Sequence, residues 1–333
     1  MPTVDADLDL LLTAVYCIAD DILPKPPENA RRKITDAEIV TLCVAQAIMG
    51  VPSDYRFVAI AGRRLRHLFP ALPTRDAFHK RRLRLSDRIE ALVAHLARPS
   101  PGYLDDLLLV DSTPVECARS RETVKRGGSS SLPDALTDAA DYGYCASHSR
   151  HFFGFRLHAL FAPDGTPRAL ALTSPKIDEK LVCLKMVAHC ESQPGQVLVL
   201  IGDKNFRGRQ FEAELAKLDA TIMRPKRKDE RGPVASTTDP AASTPALRPA
   251  AQITPRAHRP DTRDHEPHLA PIRQRIESIF WTFKDILTLE RHGARTLRNL
   301  RVRLCTRFAA PAAAIMLNHE LGRPTRNLVN FTA

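Results

Sequence analysis

Three acidic residues stand where carboxylates could bind metal ions. Asp111 ends the apolar run LLLV and Asp203 ends the apolar run VLVLIG, so both follow predicted buried strands. Glu277 lies in the predicted helix PIRQRIESIFWTFK. Hard cations such as Mg²⁺ prefer oxygen ligands, and a pair of them can activate the attacking oxygen and stabilise the leaving oxygen of a phosphodiester. The three acids therefore predict metal-dependent phosphoryl transfer.

Two basic residues share the helix face of Glu277. Three residues separate Arg273 from Glu277, and six separate Glu277 from Lys284. At about 3.6 residues per turn, these spacings place the three side chains near one face of the helix. The predicted helix therefore carries one acid between two bases.

Other acids are weaker candidates for this site. At about 3.3 Å per residue, Asp106 lies roughly 16 Å from Asp111, at the opposite end of the predicted strand. Asp178 and Glu179 are better explained as residues that start a helix. Taken singly, Asp111 or Asp203 would more often be a turn or capping acid, so the prediction depends on all three acids meeting in the fold.

The elements around these acids predict a mixed sheet with helices on its faces. The segment 152–161 has apolar residues at every second position, and the turn PDG separates it from the strand 168–173. Strands at 107–110, 197–201 and 221–224 alternate with helices. This order predicts an α/β fold of ribonuclease H-like type. In such an open sheet, sites lie beyond the carboxyl ends of the strands.

Composition divides the chain into several regions. Residues 1–97 are predicted to form an all-helical domain, and 98–106 a linker rich in Pro and Gly. The catalytic domain is predicted at 107–228 and 269–320. Between them, 229–268 is rich in Pro, Ala, Thr and Arg and cannot bury a core, which predicts an irregular or disordered insertion.

The N-terminal region has the features of a DNA-binding unit. Thr35 and Glu38 predict a capping box, and further short helices are predicted at 54–68 and 75–85. The helices carry two basic clusters, one of Arg63, Arg64, Arg66 and His67, and one of His79, Lys80, Arg81, Arg82 and Arg84. Short helices with a basic last member are typical of helix-turn-helix units. A solvated basic surface is the alternative and has about equal weight.

The overall charge favours a polyanionic partner. The 333 residues include 49 Lys and Arg against 38 Asp and Glu, a net charge of +11. The seven cysteines show no zinc-binding spacing, and the N-terminus has no signal-peptide pattern. No apolar stretch approaches the length of a membrane span, so a cytoplasmic protein without membrane contact is predicted. The absence of a GxxxxGK[ST] motif gives no indication of ATP use.

Several motifs in order carry a resemblance to a known family. They are DSTPV (111–115), YGYCASHSRHFFGFRLHAL (142–160), GDKNFRG (202–208) and the spacing of Arg273, Glu277 and Lys284. Over roughly 100–320, the chain resembles the DDE transposases of bacterial insertion sequences, in the branch whose third acid lies in a Y-R-E-K signature.

The resemblance implies a ribonuclease H-like core with Asp111, Asp203 and Glu277 as the catalytic residues. These would be the ligands of two Mg²⁺ ions, with Mn²⁺ as a substitute, and Arg273 and Lys284 would contact DNA near the cleaved phosphate. The implied reaction is cleavage and joining of DNA at terminal inverted repeats, by hydrolysis followed by strand transfer. The implied partners are the inverted repeats, target DNA and a second copy in a homodimer on DNA, which places the protein at the nucleoid.

Further basic residues are candidates for DNA contact. Lys204 and Arg207 flank the second acid, and solvated loop charges are nearly as good an explanation. The remaining candidates follow the first acid or lie in the N-terminal helices: Arg119, Arg121, Lys80, Arg81 and Arg82. The basic segment 295–307 is predicted to lie on DNA or to cover the domain with its arginines in water. Trp281 is predicted to pack in the core.

Two positions depart from the family pattern. Ala270 stands where the signature has tyrosine, and Asn205 stands where relatives usually have the glycine of DKG. Asn tolerates a left-handed backbone better than most residues, which would preserve the turn. These departures motivate an alternative, a catalytically inactive or decayed copy that acts only as a DNA-binding protein. A ribonuclease H-like nuclease without strand transfer is a third possibility.

Overall fold

A computed structural model describes residues 6–25, 33–118, 135–145, 149–225 and 269–332. In these ranges the chain forms ten α-helices and six strands. The predicted insertion 229–268 and the candidate DNA contacts Arg119 and Arg121 lie outside the described residues. Among the helices described, none is both long and apolar enough to cross a membrane.

The N-terminal region is helical, as predicted. It contains α1 (Ala6–Ile22), α2 (Asp36–Ile48), α3 (Asp54–Arg64), α4 (Arg75–Arg84) and α5 (Ser86–Ala97).

Side-chain caps define where these helices begin. The Thr35 hydroxyl accepts from the Glu38 amide, and the Glu38 carboxylate accepts from the Thr35 amide, which confirms the capping box of α2. The hydroxyl of Thr74 caps α4 and that of Ser53 caps α3. Such caps satisfy amides that have no partner within the helix.

The rest of the chain alternates between strands and helices. The strands are β1 (Leu107–Ala118), β2 (Asp141–Cys145), β3 (Arg150–Phe161), β4 (Pro167–Thr173), β5 (Leu198–Ile201) and β6 (Ala220–Met223). The helices are α6 (Leu136–Ala139), α7 (Glu179–Ala188), α8 (Arg209–Ala216), α9 (Ala270–Lys284) and α10 (Leu297–Glu320). A short 3₁₀ helix, Pro101–Leu104, lies within the predicted linker.

The strands form one mixed sheet, as predicted. β1 pairs with β5 in parallel, and β5 pairs with β6 in parallel, whereas β3 is antiparallel to β1. β2 and β4 pair with successive parts of β3, and the β3–β4 pairing confirms the predicted hairpin. β1 lies centrally, between β3 and β5.

Helices cover both faces of this sheet. Leu109, Leu157 and Phe161 belong to a core shared with the N-terminal helices, α9 and α10. Leu108 and Leu160, on the opposite face, pack with residues of α7 and α8. Because successive side chains of a strand point to opposite faces, residues of odd number on β1 face the α9 and α10 layer.

Helix α10 joins the N-terminal helices to the sheet. It packs against α2 and α5, and nearly all of its residues from Asn299 to Asn318 are buried. Arg303 and Arg307 are among them. The prediction that the arginines of 295–307 lie in water or on DNA is therefore wrong for these two residues, since they fill the junction between helices.

A buried cluster of charges holds this junction. The Asp54 carboxylate accepts two hydrogen bonds from Arg82, at 2.9 and 2.8 Å, and one from Arg303 at 2.7 Å. Burial raises the pKa of Asp54, but the hydrogen bonds and charges of Arg82 and Arg303 outweigh it and hold the pKa well below its usual value. One carboxylate thus compensates two guanidinium groups from different parts of the chain.

We expect Asp54→Ala to lower the free energy of unfolding at pH 7 by about 3–5 kcal/mol, because Arg82 and Arg303 would keep buried charges without a carboxylate. Chemical denaturation measures this change. Asp76→Ala is the matched control, since Asp76 pairs with Arg75 on the exposed surface of α4. That substitution should cost no more than about 1 kcal/mol. Equal effects of the two substitutions would contradict the role assigned to Asp54.

Candidate active site

Asp111 and Asp203 lie side by side at one edge of the sheet. The last parallel pair between β1 and β5 is Leu109 with Ile201, and each acid lies two residues beyond its member of that pair. Neighbouring strands are about 4.8 Å apart, so the two acids lie next to each other. β1 itself continues to Ala118, so the prediction that Asp111 ends its strand is wrong. It is β5 that ends there.

Helix α9 brings Glu277 to the same place. Ile276, Ile279, Phe280 and Phe283 are the buried residues of α9. The rings of Phe280 and Phe283 lie 5.8 and 5.7 Å from that of Phe161, the residue paired with Leu109 on β1. Helix α9 is therefore packed against the sheet next to the end of the β1–β5 pairing, where Asp111 and Asp203 lie.

The charges of Asp203, Glu277 and Arg273 all act on the carboxylate of Asp111. The pKa of Asp111 is raised to about 6, chiefly by burial and in addition by the negative charges of Asp203 and Glu277. The Ser112 amide, which donates to Asp111 Oδ1 at 2.7 Å, and the positive charge of Arg273 act in the opposite direction. Arg273 and the two other acids are therefore all within electrostatic reach of this carboxylate.

The turn after β5 holds the carboxylate of Asp203. Asp203 Oδ1 accepts from the Asn205 amide at 2.8 Å, and Oδ2 accepts from Asn205 Nδ2 at 2.9 Å. A carboxylate that bonds an amide two residues on is a common turn device. Asn205 does not adopt a positive φ, so the proposed left-handed backbone is wrong. Asn205 preserves the turn by hydrogen bonding instead.

The acids do not enclose a single metal site. Within the described ranges, no group of three or more His, Cys, Asp or Glu side chains lies close enough together to hold one ion. Mg²⁺ usually takes one or two carboxylates and completes its shell with water and substrate phosphate. Asp111 and the two carboxylates near it fit that requirement, since each ion would need only part of the set.

A polar network lies behind Asp111, on the opposite face of the sheet. Ser112 Oγ donates to Glu179 Oε1 at 3.1 Å, and Arg156 pairs with Glu179 and lies 3.5 Å from Ser112 Oγ. Glu179 stands at the start of α7, as predicted, but its bond to Ser112 of β1 was not predicted. The one available signal was Arg156, a charged residue within an apolar strand.

The predicted DNA contacts near the acids remain accessible. Lys204 is exposed beside Asp203, and Arg207 is partly exposed in the same turn. On α9, Arg273 and Lys284 are both partly exposed and flank the exposed Glu277.

The three residues of α4 that were predicted to contact DNA differ in how exposed they are. Lys80 is exposed, whereas Arg81 donates to the Ile34 carbonyl at 2.9 Å and pairs with Asp36. Arg82 is fully buried against Asp54. The prediction that Arg82 contacts DNA is therefore wrong, because its guanidinium is buried in the helical layer and pairs with Asp54.

Trp281 does not pack in the core. Its exposed fraction is 60%, although it lies one helical turn after Glu277. The prediction of core packing is wrong because the sheet side of α9 is already occupied by Phe280 and Phe283.

Comparison with known proteins adds one finding. A family model described as "Transposase DDE domain" matches residues 102–311, which is more than half of the chain. The matched range begins just before β1 and contains Asp111, Asp203 and Glu277. No curated protein and no solved structure is significantly similar to the chain.

We expect Asp111→Asn to raise the free energy of unfolding at pH 8 by about 1–3 kcal/mol, since one pKa unit corresponds to about 1.4 kcal/mol. The folded-state pKa of Asp111 is raised to about 6, so its carboxylate lowers stability as pH rises from about 4 to about 6. The gain should therefore be small at pH 4, where Asp111 is protonated in the folded state and about half protonated in the unfolded state.

Denaturation of the wild type and the variant at the two pH values measures this difference. Asp285→Asn is the control, since Asp285 is an exposed acid at the end of α9. An Asp111→Asn protein that is less stable than the wild type at both pH values would contradict the prediction.

Proposed function

Because the chain belongs to the transposase DDE domain family, we propose that it is the transposase of a bacterial insertion sequence. It cleaves and joins DNA at the terminal inverted repeats of that element. The observation that carries the proposal is the convergence of Asp203, Glu277 and Arg273 around Asp111. The family implies nuclease and transferase activity. We propose that the two steps are hydrolysis at the repeats and joining to the target DNA.

The fold of the catalytic region is proposed to be ribonuclease H-like. Its support is the strand order β2-β3-β1-β5-β6, with β4 also paired to β3. The strands β1, β5 and β6 are parallel, whereas β3 is antiparallel to β1, β2 and β4. The first strand lies at the centre and carries the first acid. The proposed catalytic region comprises 107–228 and 269–320, with 1–97 as the helical DNA-binding region and 98–106 between them.

Asp111, Asp203 and Glu277 are proposed as the catalytic residues and metal ligands. Two divalent ions, Mg²⁺ or Mn²⁺ in its place, would activate the attacking oxygen and stabilise the leaving oxygen when bound. The chain's own part is to position three carboxylates. The Ser112 amide orients Asp111, Asn205 orients Asp203, and the packing of α9 fixes the place on the helix from which Glu277 extends.

Basic residues are proposed to hold the DNA. Arg273 and Lys284 lie on either side of Glu277 and would bind the phosphate next to the cleaved bond. Lys204 and Arg207 would bind the backbone from the turn after β5, and Lys80 would bind it from α4. Such phosphate contacts position the duplex without reading its sequence. A homodimer on DNA, and contacts by Arg119 and Arg121, stay predictions.

The departures from the signature leave this arrangement intact. Asn205 bonds both carboxylate oxygens of Asp203, and Ala270 is the exposed first residue of α9. The alternative, a catalytically inactive copy that only binds DNA, is decided by the cleavage experiment.

We expect Asp111→Ala, Asp203→Ala and Glu277→Ala each to abolish Mn²⁺-dependent cleavage while leaving DNA binding unchanged, because the carboxylates serve the chemical step. The substrate is a plasmid carrying the native flanks of the gene, and gel analysis detects nicks, breaks and joined products. Glu214→Ala is the control, since Glu214 is an exposed acid of α8 that pairs with Lys217.

The outcomes separate the alternatives. Binding by the wild type without any cleavage would support the inactive copy instead. Cleavage without joined products would favour a nuclease, and wild-type cleavage by all three acid variants would sink the proposed site.

We expect Asn205→Ala to weaken Mn²⁺ binding by about 10–100-fold, the range found for groups that orient a metal ligand. The side chain donates to Asp203 Oδ2, so its removal frees the carboxylate to rotate. Calorimetric titration with Mn²⁺ alone measures the change. Gln210→Ala, an exposed residue at the start of α8, is the control. Unchanged affinity in Asn205→Ala would show that the backbone bond is sufficient.

A further inference from the structure

An ion pair lies on the rear face of the sheet, behind the candidate active site. Arg156 of β3 pairs with Glu179 of α7, and their side chains are only 19% and 26% exposed. The same face of the sheet packs into an apolar core that includes Val110, Leu160 and Val182. An ion pair in such a place contributes little net stability, because the loss of hydration offsets the attraction between the charges. Stability alone therefore does not explain the pair.

Ser112 connects this ion pair to the first acid. The Ser112 hydroxyl donates to Glu179 Oε1 at 3.1 Å, and Arg156 Nη1 lies 3.5 Å from the same hydroxyl oxygen. The Ser112 amide donates to Asp111 Oδ1 at 2.7 Å. Because successive side chains of a strand point to opposite faces, the ion pair and the Asp111 carboxylate lie on the two sides of one strand. Both charges of the pair are therefore close to the proposed metal ligands but separated from them by the sheet.

Arg156 holds three elements of the sheet region together. Besides its contacts with Ser112 of β1 and Glu179 of α7, its guanidinium donates to the Tyr144 carbonyl of β2 at 3.0 Å. These contacts use the several donors of a planar guanidinium group. A fixed positive charge therefore stands behind Asp111. Such a charge opposes the binding of any cation there unless a negative charge compensates it.

The charge of Arg156 acts on buried residues of the sheet. His158, the residue of β3 that pairs with Ser112, is 2% exposed, and its Nε2 lies 3.0 Å from Thr173 Oγ1. Burial and the charge of Arg156 lower the pKa of His158 to about 4. His158 is therefore neutral near pH 7 and adds no charge of its own. In the described part of the chain, Glu179 is the acid that pairs with Arg156.

Resting on the proposed function, we propose that Glu179 is a positioning residue of the metal site, which cancels the charge of Arg156 so that divalent ions can bind at Asp111. Glu179 does not contact the ions itself, since it lies on the opposite side of β1. The effect of an uncompensated charge is doubled for a divalent ion, because the Coulomb energy is proportional to both charges. A role in packing alone is the alternative, and the two roles differ in what each single substitution does to metal affinity.

Calorimetric titration of the full chain with Mn²⁺ at pH 8, without DNA, tests the proposal. We expect Glu179→Gln to bind Mn²⁺ about 4- to 15-fold more weakly than the wild type, because it leaves Arg156 uncompensated. That factor corresponds to one charge acting on a divalent ion across about 10 Å, at an effective dielectric constant of about 40 to 80. Arg156→Met leaves Glu179 uncompensated and should bind Mn²⁺ more tightly by a similar factor.

Further variants separate charge from packing. The double variant of Arg156→Met and Glu179→Gln is again neutral and should bind Mn²⁺ within about twofold of the wild type. Glu179→Asp keeps the negative charge and should retain most of the affinity. Comparison of Glu179→Gln with Glu179→Asp decides the question even if Arg156→Met fails to fold. Lys176→Met is the control, since Lys176 is 67% exposed and pairs with Asp141, where water and salt screen the loss of one charge.

Two results would overturn the proposal. Equal Mn²⁺ affinity of the wild type and Glu179→Gln would show that the charge of Arg156 does not act on the metal site. Weaker binding by both single variants, without recovery in the double variant, would assign the pair a role in packing alone. A wild-type protein that binds no Mn²⁺ would instead refute the proposed metal site, so the two failures are distinguishable.

Discussion

The structure depends on an aromatic cluster that presses α9 against the central strands. Phe161 of β3 contacts Phe280 and Phe283 of α9 and stacks on Phe308 of α10 at 5.7 Å. Phe161 is also paired with Leu109, two residues before Asp111. Tightly packed aromatic rings tolerate little displacement, because interiors are close to maximum density. The cluster therefore sets where Glu277 lies relative to Asp111.

Charge is distributed unequally between the interior and the candidate site. In the helical junction, Asp54 meets Arg82 and Arg303, and the bonded charges hold its pKa well below the usual value. At Asp111, burial and two neighbouring acids act in the opposite direction and raise the pKa to about 6. The first arrangement stabilises the fold, whereas the second costs stability. Such a cost is typical of positions retained for chemistry.

Parts of the fold could be predicted from local patterns. The capping box of Thr35 and Glu38 and the strand predicted at 152–161 depend on residues close together in sequence, and the structure confirms both. Both faces of that strand are buried, so its burial does not alternate. The fate of Arg82 could not be predicted, because its partners Asp54 and Asn299 lie 28 and 217 residues away. A basic run has the same local appearance whether it lies in water or against a buried acid.

The residue types and spacings alone indicated the three acids, a mixed sheet and five of its six strands, since periodicity and turn residues are local properties. They did not indicate β2 or the order of the strands in the sheet. Only the tertiary structure decided that β1 runs past Asp111 while β5 stops, because strand ends depend on pairing between distant segments. It also decided that Trp281 stays exposed. The packing of α9 uses one side of the helix, and a sequence does not state which side the neighbouring elements will fill.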